Sequence, residues 1–569
     1  MKILVLVKPV PDPDKYGDLK IDSETKRLVR EGVPTVINPT DRNALEAAFV
    51  LREKHGGTVT VLSMAPEFAR TQVVEALAMG ADEAFLLSDP AFGGADTFAT
   101  SYVLSQAADF IAQNLCSEGA EGEAAGFDLI LAGNESADGA TSQVPTQVAE
   151  WLGLPHVCRV NAVEITDGRM LATKHMEAGD ATFELGLPAV LGISRSMNKP
   201  RLVNAMGIVK ARKKPLTILS NEDMKLDPDR LGLKGSPTQA GRLITPDISR
   251  AGEALARDDG TPAETAEEAA QAILKLIRQA GVAVNSEAEN RSDIEGADAA
   301  EGVPDPATLD HMAITAAMEK QARESGTELI ILPADSVGEE VAPALGVRLG
   351  TGVASHCVDI TTGEDGKPVF MVPAFGGRVI GEILIPDAAP GRPAIATANA
   401  TLVPGYIVAK DATFQPGTNV TQNATFQPGT NVTFLGFEKA RSGVGALDKA
   451  EIIFCGGYGI GAGGKGAENW EKLERLAAKF GGAAGCTRPV VDAGWGPDEY
   501  SMIGTSGRQV KPRLYIGFGI SGAAHHLCGI KDSDVIVNIN NDRNAEVLKA
   551  SDHTGIFDAG QVIDALLEV

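Results

Sequence analysis

Cysteines, aromatic residues and positive charge are all scarce in this chain, and each shortage removes a class of function. The six cysteines (Cys116, Cys158, Cys357, Cys455, Cys486 and Cys528) stand far apart, with no CxxC pair and no local zinc-type histidine spacing. A zinc site or an iron–sulfur cluster is therefore not expected, no metal is assigned, and buried free thiols of a reducing compartment are the expectation. Lys and Arg number 51 against 76 Asp and Glu, a net charge of −25. That balance opposes binding to nucleic acid or to an anionic membrane surface and leaves basic protein partners or ligands held in local basic pockets. No apolar run is long enough to cross a membrane. The opening MKILVLVK is also too short for a signal segment, so a first buried strand and a cytoplasmic protein are expected. Lys465 is followed by Gly466 rather than by the Ser or Thr that a phosphate-binding P-loop needs, so a kinase or ATPase is not expected.

What is present is length, glycine and small apolar residues. A chain of 569 residues with 63 Gly, 44% hydrophobic and 5% aromatic residues reads as several α/β domains. From 1 to 210, short β-branched runs (ILVLV at 3–7, TVTVLSM at 58–64, EAFLLS at 83–88, DLILAG at 128–133, AVLGIS at 189–194) alternate with segments of helical period. This pattern predicts a doubly wound parallel sheet, whose ligands sit beyond the carboxyl ends of its strands. Residues 211–284 form an irregular arm ending in the helix TAEEAAQAILKLIRQAGV. The arm has too little apolar face to fold alone and is expected to lie on another domain. Residues 285–308 are acidic, poor in large apolar groups and read as a linker. A shortened α/β domain follows at 309–440. It contains ATFQPGTNVT twice, at 412–421 and 424–433, which reads as a duplication in a surface strand. Strand–loop–helix order returns at 441–569.

Residues 481–528 carry the densest functional signal: small residues threaded with Arg488, Ser506, Ser521 and His526. Glycines let backbone amides approach a flat phosphate-bearing ligand closely. LYIGFGISGAAHHLCG followed by VIVNIN resembles the FAD-binding signature of the alpha subunit of electron transfer flavoprotein, as do AEIIFCGGYGIG and GCTRPVVDAGW. The stretches KIDSETKRLVREGVPTVINPTDRNALEAA and LPAVLGISRSMNKPRLVNAMGIVKARKKPL are similar to the beta subunit. The resemblance covers nearly all of the chain outside the linker and implies a beta-like half fused to an alpha-like half. The implied fold is doubly wound α/β, with adenine-nucleotide alpha hydrolase-like domains and a Rossmann- or flavodoxin-like FAD domain at the end.

The resemblance also implies roles. Arg488, after Thr487, would lie by the isoalloxazine and favour reduced flavin. Ser506, between Thr505 and Gly507, would bond N5, and His526 the pyrimidine edge. Gly507, Gly519, Ser521 and Gly522 would meet the ribityl or pyrophosphate, with Asn540 and Asp558 at the adenosine end. Taken singly, Arg488 reads as a surface ion-pair partner and His526 as a satisfied structural histidine; together, in motif order, they read as a cofactor site. In the first half, Asn38, Pro39, Asp41, Asp138, Gly139, Thr141, Ser142, Gln143 and Val144 match a second nucleotide site, for AMP or a second FAD; as isolated residues they read as helix caps and turns. Met197, in SRSMNKPR, occupies the anchor position of a loop that docks on acyl-CoA dehydrogenases.

The family implication is an electron carrier between such a dehydrogenase and a downstream acceptor. The alternatives are an NADH-dependent bifurcating protein with two FADs and a non-redox adenine-nucleotide sensor. No constellation of catalytic acid, base and nucleophile is present, so the flavin would carry the redox chemistry. The sequence departs from the family pattern at Tyr458, where an arginine is usual, at His525, where glutamine is usual, and in a glycine-rich insertion at 461–467. Gly459, Gly461 and Gly464 satisfy GxGxxG, but no acid lies between Glu474 and Asp492 to meet a ribose, so an NAD site is not expected there.

Overall fold

The computed structural model describes residues 1–18, 20–21, 28–29, 33–115, 126–166, 169–177, 179–245, 248–281, 309–398, 407–409, 432–439, 447, 449–497, 499–504 and 507–569. The linker, Thr505, Ser506 and all of the duplicated decapeptide except Val432 and Thr433 lie outside them. The chain forms two compact units. One combines Met1–Ile244 with Pro304–Phe375 and Val379–Glu438, and the other Thr245–Val303 and Gly376–Arg378 with Lys439–Val569.

The first unit is built on strands β1 (Lys2–Leu6), β2 (Thr58–Met64), β3 (Glu83–Leu87), β4 (Leu129–Gly133), β5 (His156–Thr166), β6 (Arg169–Met176), β7 (Gly179–Leu185), β8 (Ala189–Ile193) and β9 (Leu216–Leu219). Their order is β9-β3-β2-β1-β4-β8-β5-β6-β7, with strand Val432–Lys439 beyond β7. Pairing is parallel from β9 to β5, with Val5 opposite both Val61 and Leu131, and antiparallel through β5, β6 and β7. The parallel part is the expected doubly wound sheet. Its central strands are apolar on both faces because helices cover both faces: Ile3 and Val5 fall in one core, and Leu4 and Leu6 in the other. The antiparallel excursion at 156–185 was not expected. Its signal is the exposure alternating by twos along the end of β5, Asn161 to Thr166, the pattern of a half-solvated strand.

Helices α1 (Pro39–His55), α2 (Arg70–Met79), α3 (Thr97–Asn114) and α4 (Val144–Leu152) connect these strands. Each start is encoded locally. Pro39 opens α1, where a missing N–H costs nothing, and the Asp96 carboxylate caps α3 by accepting from Ala99 N at 3.0 Å.

The alpha-like part of this unit contributes α5 (His311–Ser325), α6 (Gly338–Leu349) and a sheet of Val353–Cys357, Ala394–Ala398, Leu329–Pro333 and Ile407–Ala409. Beside it lies an antiparallel sheet in which Gln239–Ile244 pairs with Val379–Leu384.

The second unit is a six-stranded, all-parallel sheet. Its order is Glu253–Ala254, His553–Gly555, Val535–Ile539, Leu514–Phe518, Ile452–Gly456, Ala483–Cys486. Counting from Ile452–Gly456, the five main strands run 2-1-3-4-5, the flavodoxin-like order. The segment 211–284 divides near residue 245. Beyond that point the helix Ala266–Gln279, whose Thr265 and Glu268 form a reciprocal capping box, buries Ala269, Ile273 and Ile277 in the same core as Phe454, Leu473 and Val562.

Candidate nucleotide-binding sites

In the first unit the strand order reverses between β1 and β4, which opens a crevice at their carboxyl ends. A cavity of about 760 Å³ lies there, lined by Lys8 after β1, Asn38 and Asp41 at the start of α1, Asn134 to Ser136 after β4, and the first turns of α3 and α4. Gly139, Thr141, Ser142, Gln143 and Val144 line it as well. Of the residues assigned to this site from sequence, Asp138 stands just behind the wall. It pairs with the Lys8 ammonium at 2.7 Å, and that ammonium also reaches Ser136 Oγ at 3.2 Å.

Buried polar side chains hold the crevice open. Asp41 accepts from Lys8 N at 2.7 Å, Asn38 Nδ2 at 2.9 Å and Gly133 N at 3.1 Å. A side chain at Gly133 would strike Thr40 and Asp41, so the close approach requires glycine. Asn38 donates to Glu135 O at 2.9 Å and accepts from Ala137 N at 3.0 Å, clamping the loop after β4. Gln143 donates to Ser355 Oγ at 2.7 Å and Val353 O at 3.1 Å, which ties the beta-like and alpha-like parts together at the wall. Ala140 and Ser142 are non-glycine residues at φ 46° and 54°, a strained backbone of the kind concentrated at ligand loops. Burial pushes the Asp41 carboxyl up to about 7, against its three donors and the Lys8 charge. Lys8 was missed in the sequence. The available signal for Lys8 was a lone cation at the carboxyl end of an apolar first strand.

In the second unit the reversal lies between Ile452–Gly456 and Leu514–Phe518. Two glycine loops leave these strands and touch: a side chain at Gly457 or Gly459 would strike the Gly519–Ile520 backbone, and one at Gly522 (φ 89°) would strike Val547 N. Gly461 and Gly466 instead make room for the Trp495 ring, which stacks on Tyr458 at 5.2 Å. Packing therefore accounts for Gly459 and Gly461 of the GxGxxG pattern, and the positive φ of 79° for Gly464. Thr487 is buried and donates its N–H to Gly456 O at 2.9 Å, which sets Arg488, half-buried, at the head of a short helix. Burial and the Arg488 charge hold His525 down at about 4.

His526 is buried, and both of its ring nitrogens have protein partners: Ile503 O lies 3.0 Å from Nδ1 and Tyr515 Oη 2.7 Å from Nε2. A carbonyl only accepts, so Nδ1 carries the proton and Nε2 accepts from Tyr515. Burial keeps the ring neutral by holding it at about 4. Asn540 donates to Ile520 O at 2.6 Å, and the Asp558 carboxylate caps the last helix. Ser521 is exposed, and Gly507 packs on Met502 O.

Comparison with known proteins places the chain. The electron transfer flavoprotein domain matches residues 25–224 and 254–421, more than half of the sequence. The chain belongs to the electron transfer flavoprotein family. The electron transfer flavoprotein FAD-binding domain matches residues 446–531. The first half is 44% identical over 254 residues to the electron transfer flavoprotein beta subunit of Thermoanaerobacterium thermosaccharolyticum, covering 44% of this chain and 91% of that subunit. It is 41% identical over 256 residues to subunit CarD of the caffeyl-CoA reductase–Etf complex of Acetobacterium woodii, covering 45% of this chain and 92% of CarD. Protein FixA of Azorhizobium caulinodans is 35% identical over 250 residues, covering 43% of this chain and 85% of FixA. A beta-type half and an alpha-type FAD-binding domain thus share one polypeptide.

The residues of the second unit fit FAD. Glycines occupy both strand ends at the reversal, and a half-buried cation, Arg488, follows the neighbouring strand, a set of groups compatible with a pyrophosphate-bearing cofactor. Among the described residues, no helix is long and apolar enough to cross a membrane. Met197 is half-buried against the first unit's core in the turn Arg195–Met197. The exposed apolar surface of this region is instead Leu202 (87% exposed) and Met206 (64%). Arg201 anchors the loop to Glu46 at 2.8 Å, and Asn43 anchors it to Asn198 O at 2.8 Å. Apolar residues at 202, 206 and 209, spaced as on one helical face, were the signal available in the sequence.

Proposed function

We propose that this family member carries electrons through FAD, held at the strand-order reversal of the second unit, between a CoA-thioester dehydrogenase or reductase and a downstream acceptor. The observation that carries this reading is the paired glycine loops at 457–459 and 519–522 with Arg488 beside them, inside the matched FAD-binding domain. When bound, FAD supplies the reversible uptake and release of electrons. The protein supports it with Arg488, whose cation favours the more negative, reduced form, and with two neutral histidines. His525 stands beside that cation, and His526 is fixed in one tautomer by Tyr515 and Ile503. Gly507, Gly519, Ser521 and Gly522 would hold the ribityl and phosphates, Asn540 and Asp558 the adenosine end, and Thr505 and Ser506 the N5 side. The CoA-linked partner is supported by the likeness to CarD, named for a complex with a caffeyl-CoA reductase. It is also supported by the exposed Leu202 and Met206 beside Met197.

A second reading is favoured by the first-unit cavity. At about 760 Å³ it falls in the upper part of the range for small-molecule sites, which supports a second FAD there over the smaller AMP. Two flavins are what bifurcation from NADH would require. The test is to mix the purified chain with a reduced acyl-CoA dehydrogenase under anaerobic conditions and follow flavin absorbance. Bleaching is expected; an unbleached flavin would refute the carrier role with that partner. Reduction by NADH alone would favour the second reading.

A further inference from the structure

The first unit encloses, away from its cavity, a cluster that nothing in the electron-carrier reading uses. His156 on β5, His311 at the start of α5 and Glu340 on α6 are all within 2% of complete burial, and one ligand atom from each lies within 4.8 Å of the others. The two imidazoles face each other with centroids 4.6 Å apart. Neither nitrogen of His156 has a hydrogen-bond partner, and His311 Nε2 has none. A polar group buried without a partner forfeits its hydration with nothing in return, so this arrangement calls for a ligand.

The chemistry of the donors specifies which ligand. Both rings are buried, and the unpartnered nitrogens of His156 and Nε2 of His311 are the atoms able to offer a lone pair. His311 Nδ1 lies 3.6 Å from Glu340 Oε2, so the carboxylate and this ring already face each other. Two imidazoles and one carboxylate suit zinc and neighbouring divalent transition metals better than calcium or magnesium, which prefer all-oxygen sites.

Glu340 is paired with the buried Lys174 ammonium, which also donates to Ser336 O at 2.5 Å. Arg159 lies 3.3 Å from Glu177 and 3.6 Å from Glu339. The charges that bear on the two imidazoles are Glu340, Lys174 and Arg348, the last paired with Glu150 at 2.8 Å, so the unpartnered ring nitrogens rather than any excess of acid call for the cation. Lys174 keeps its bond to Ser336 O when Glu340 Oε2 turns to a metal.

We propose that His156, His311 and Glu340 bind one divalent transition-metal cation of the zinc class, a structural staple between the beta-like strand β5 and the alpha-like helices α5 and α6. Because its ligands are 29 to 184 residues apart in sequence, the absence of local zinc spacing does not bear on it.

The experiment is elemental analysis of the full-length protein, produced with zinc in the medium and dialysed against metal-free buffer. About one zinc per chain is expected, falling at least about tenfold in His156→Ala and in His311→Ala. Cobalt exchanged into the unmutated protein should give the visible d–d bands of a four- or five-coordinate nitrogen–oxygen site. Chain-bound zinc that survives both substitutions, or dialysed protein with neither retained zinc nor a cobalt spectrum, would overturn the proposal. The cobalt spectrum decides the matter if either variant fails to fold.

Discussion

The two units place their candidate sites at the same topological point, a reversal of strand order at the carboxyl end of a parallel sheet, yet they build them from opposite materials. The first closes its crevice with buried polar side chains: Asn38, Asp41 and Gln143 hold the loops through hydrogen bonds of 2.7–3.1 Å. The second closes its crevice with backbone against backbone at Gly457, Gly459, Gly519 and Gly522, leaving Arg488 as its charged side chain. A side-chain clamp is adjustable but responds to pH. A glycine clamp is indifferent to pH and intolerant of a single added carbon.

That contrast orders the predictions. The largest effect is expected at the glycine clamp. Gly522→Val combines a strained positive φ with a clash against the Val547 backbone and should cost about 3 kcal/mol or more. A shifted denaturant midpoint with loss of bound FAD is the expected result, and unchanged flavin content would break the comparison.

Next comes the pH response of the side-chain clamp. Asp41 is raised from 3.8 to about 7 by burial, so between those values the folded state binds more protons than the unfolded state. Its contribution is therefore most favourable below about pH 4 and is lost as pH rises towards 7, worth about 2–4 kcal/mol across that window. Asp41→Asn should flatten the slope of stability against pH there. An identical slope in the variant would remove Asp41 from the account.

Smaller again is the charge at the second site. Arg488→Ala should lower the flavin midpoint potential by about 30–60 mV, equivalent to about 1.4–2.8 kcal/mol for two electrons. Spectroelectrochemistry that finds no shift would leave Arg488 a structural ion-pair partner. The smallest effect concerns partner docking. Leu202→Ala should raise the KM for a CoA-thioester dehydrogenase about fivefold with FAD content intact, and Met197→Ala should raise it less because that side chain is already half-buried. The reverse order would restore Met197 as the anchor.

Much of this contrast was legible in the sequence. The five apolar runs of the first half, the glycine spacing at 457–459 and 519–522 and the polar loop at 138–144 all stand in the order that the sheets require. The antiparallel excursion at 156–185 was not read, because β5 begins as a fully buried strand and alternates only in its outer half. Long-range pairings were invisible for a different reason. Lys8 with Asp138, Gln143 with Ser355, and Tyr515 with His526 join residues by geometry that no local period records. His526 was read from its motif as a ligand to the flavin edge. The structure adds that both of its nitrogens already have protein partners, so the hydrogen bond from Tyr515 must be exchanged for any such contact.

The central claim is that each reversal of strand order holds a nucleotide and that the one in the second unit is FAD. Denaturing the purified chain and counting the released FAD and AMP per polypeptide tests it most directly. Two nucleotides per chain, at least one of them FAD, is the predicted result; a chain that releases no flavin, or only one nucleotide, would contradict it.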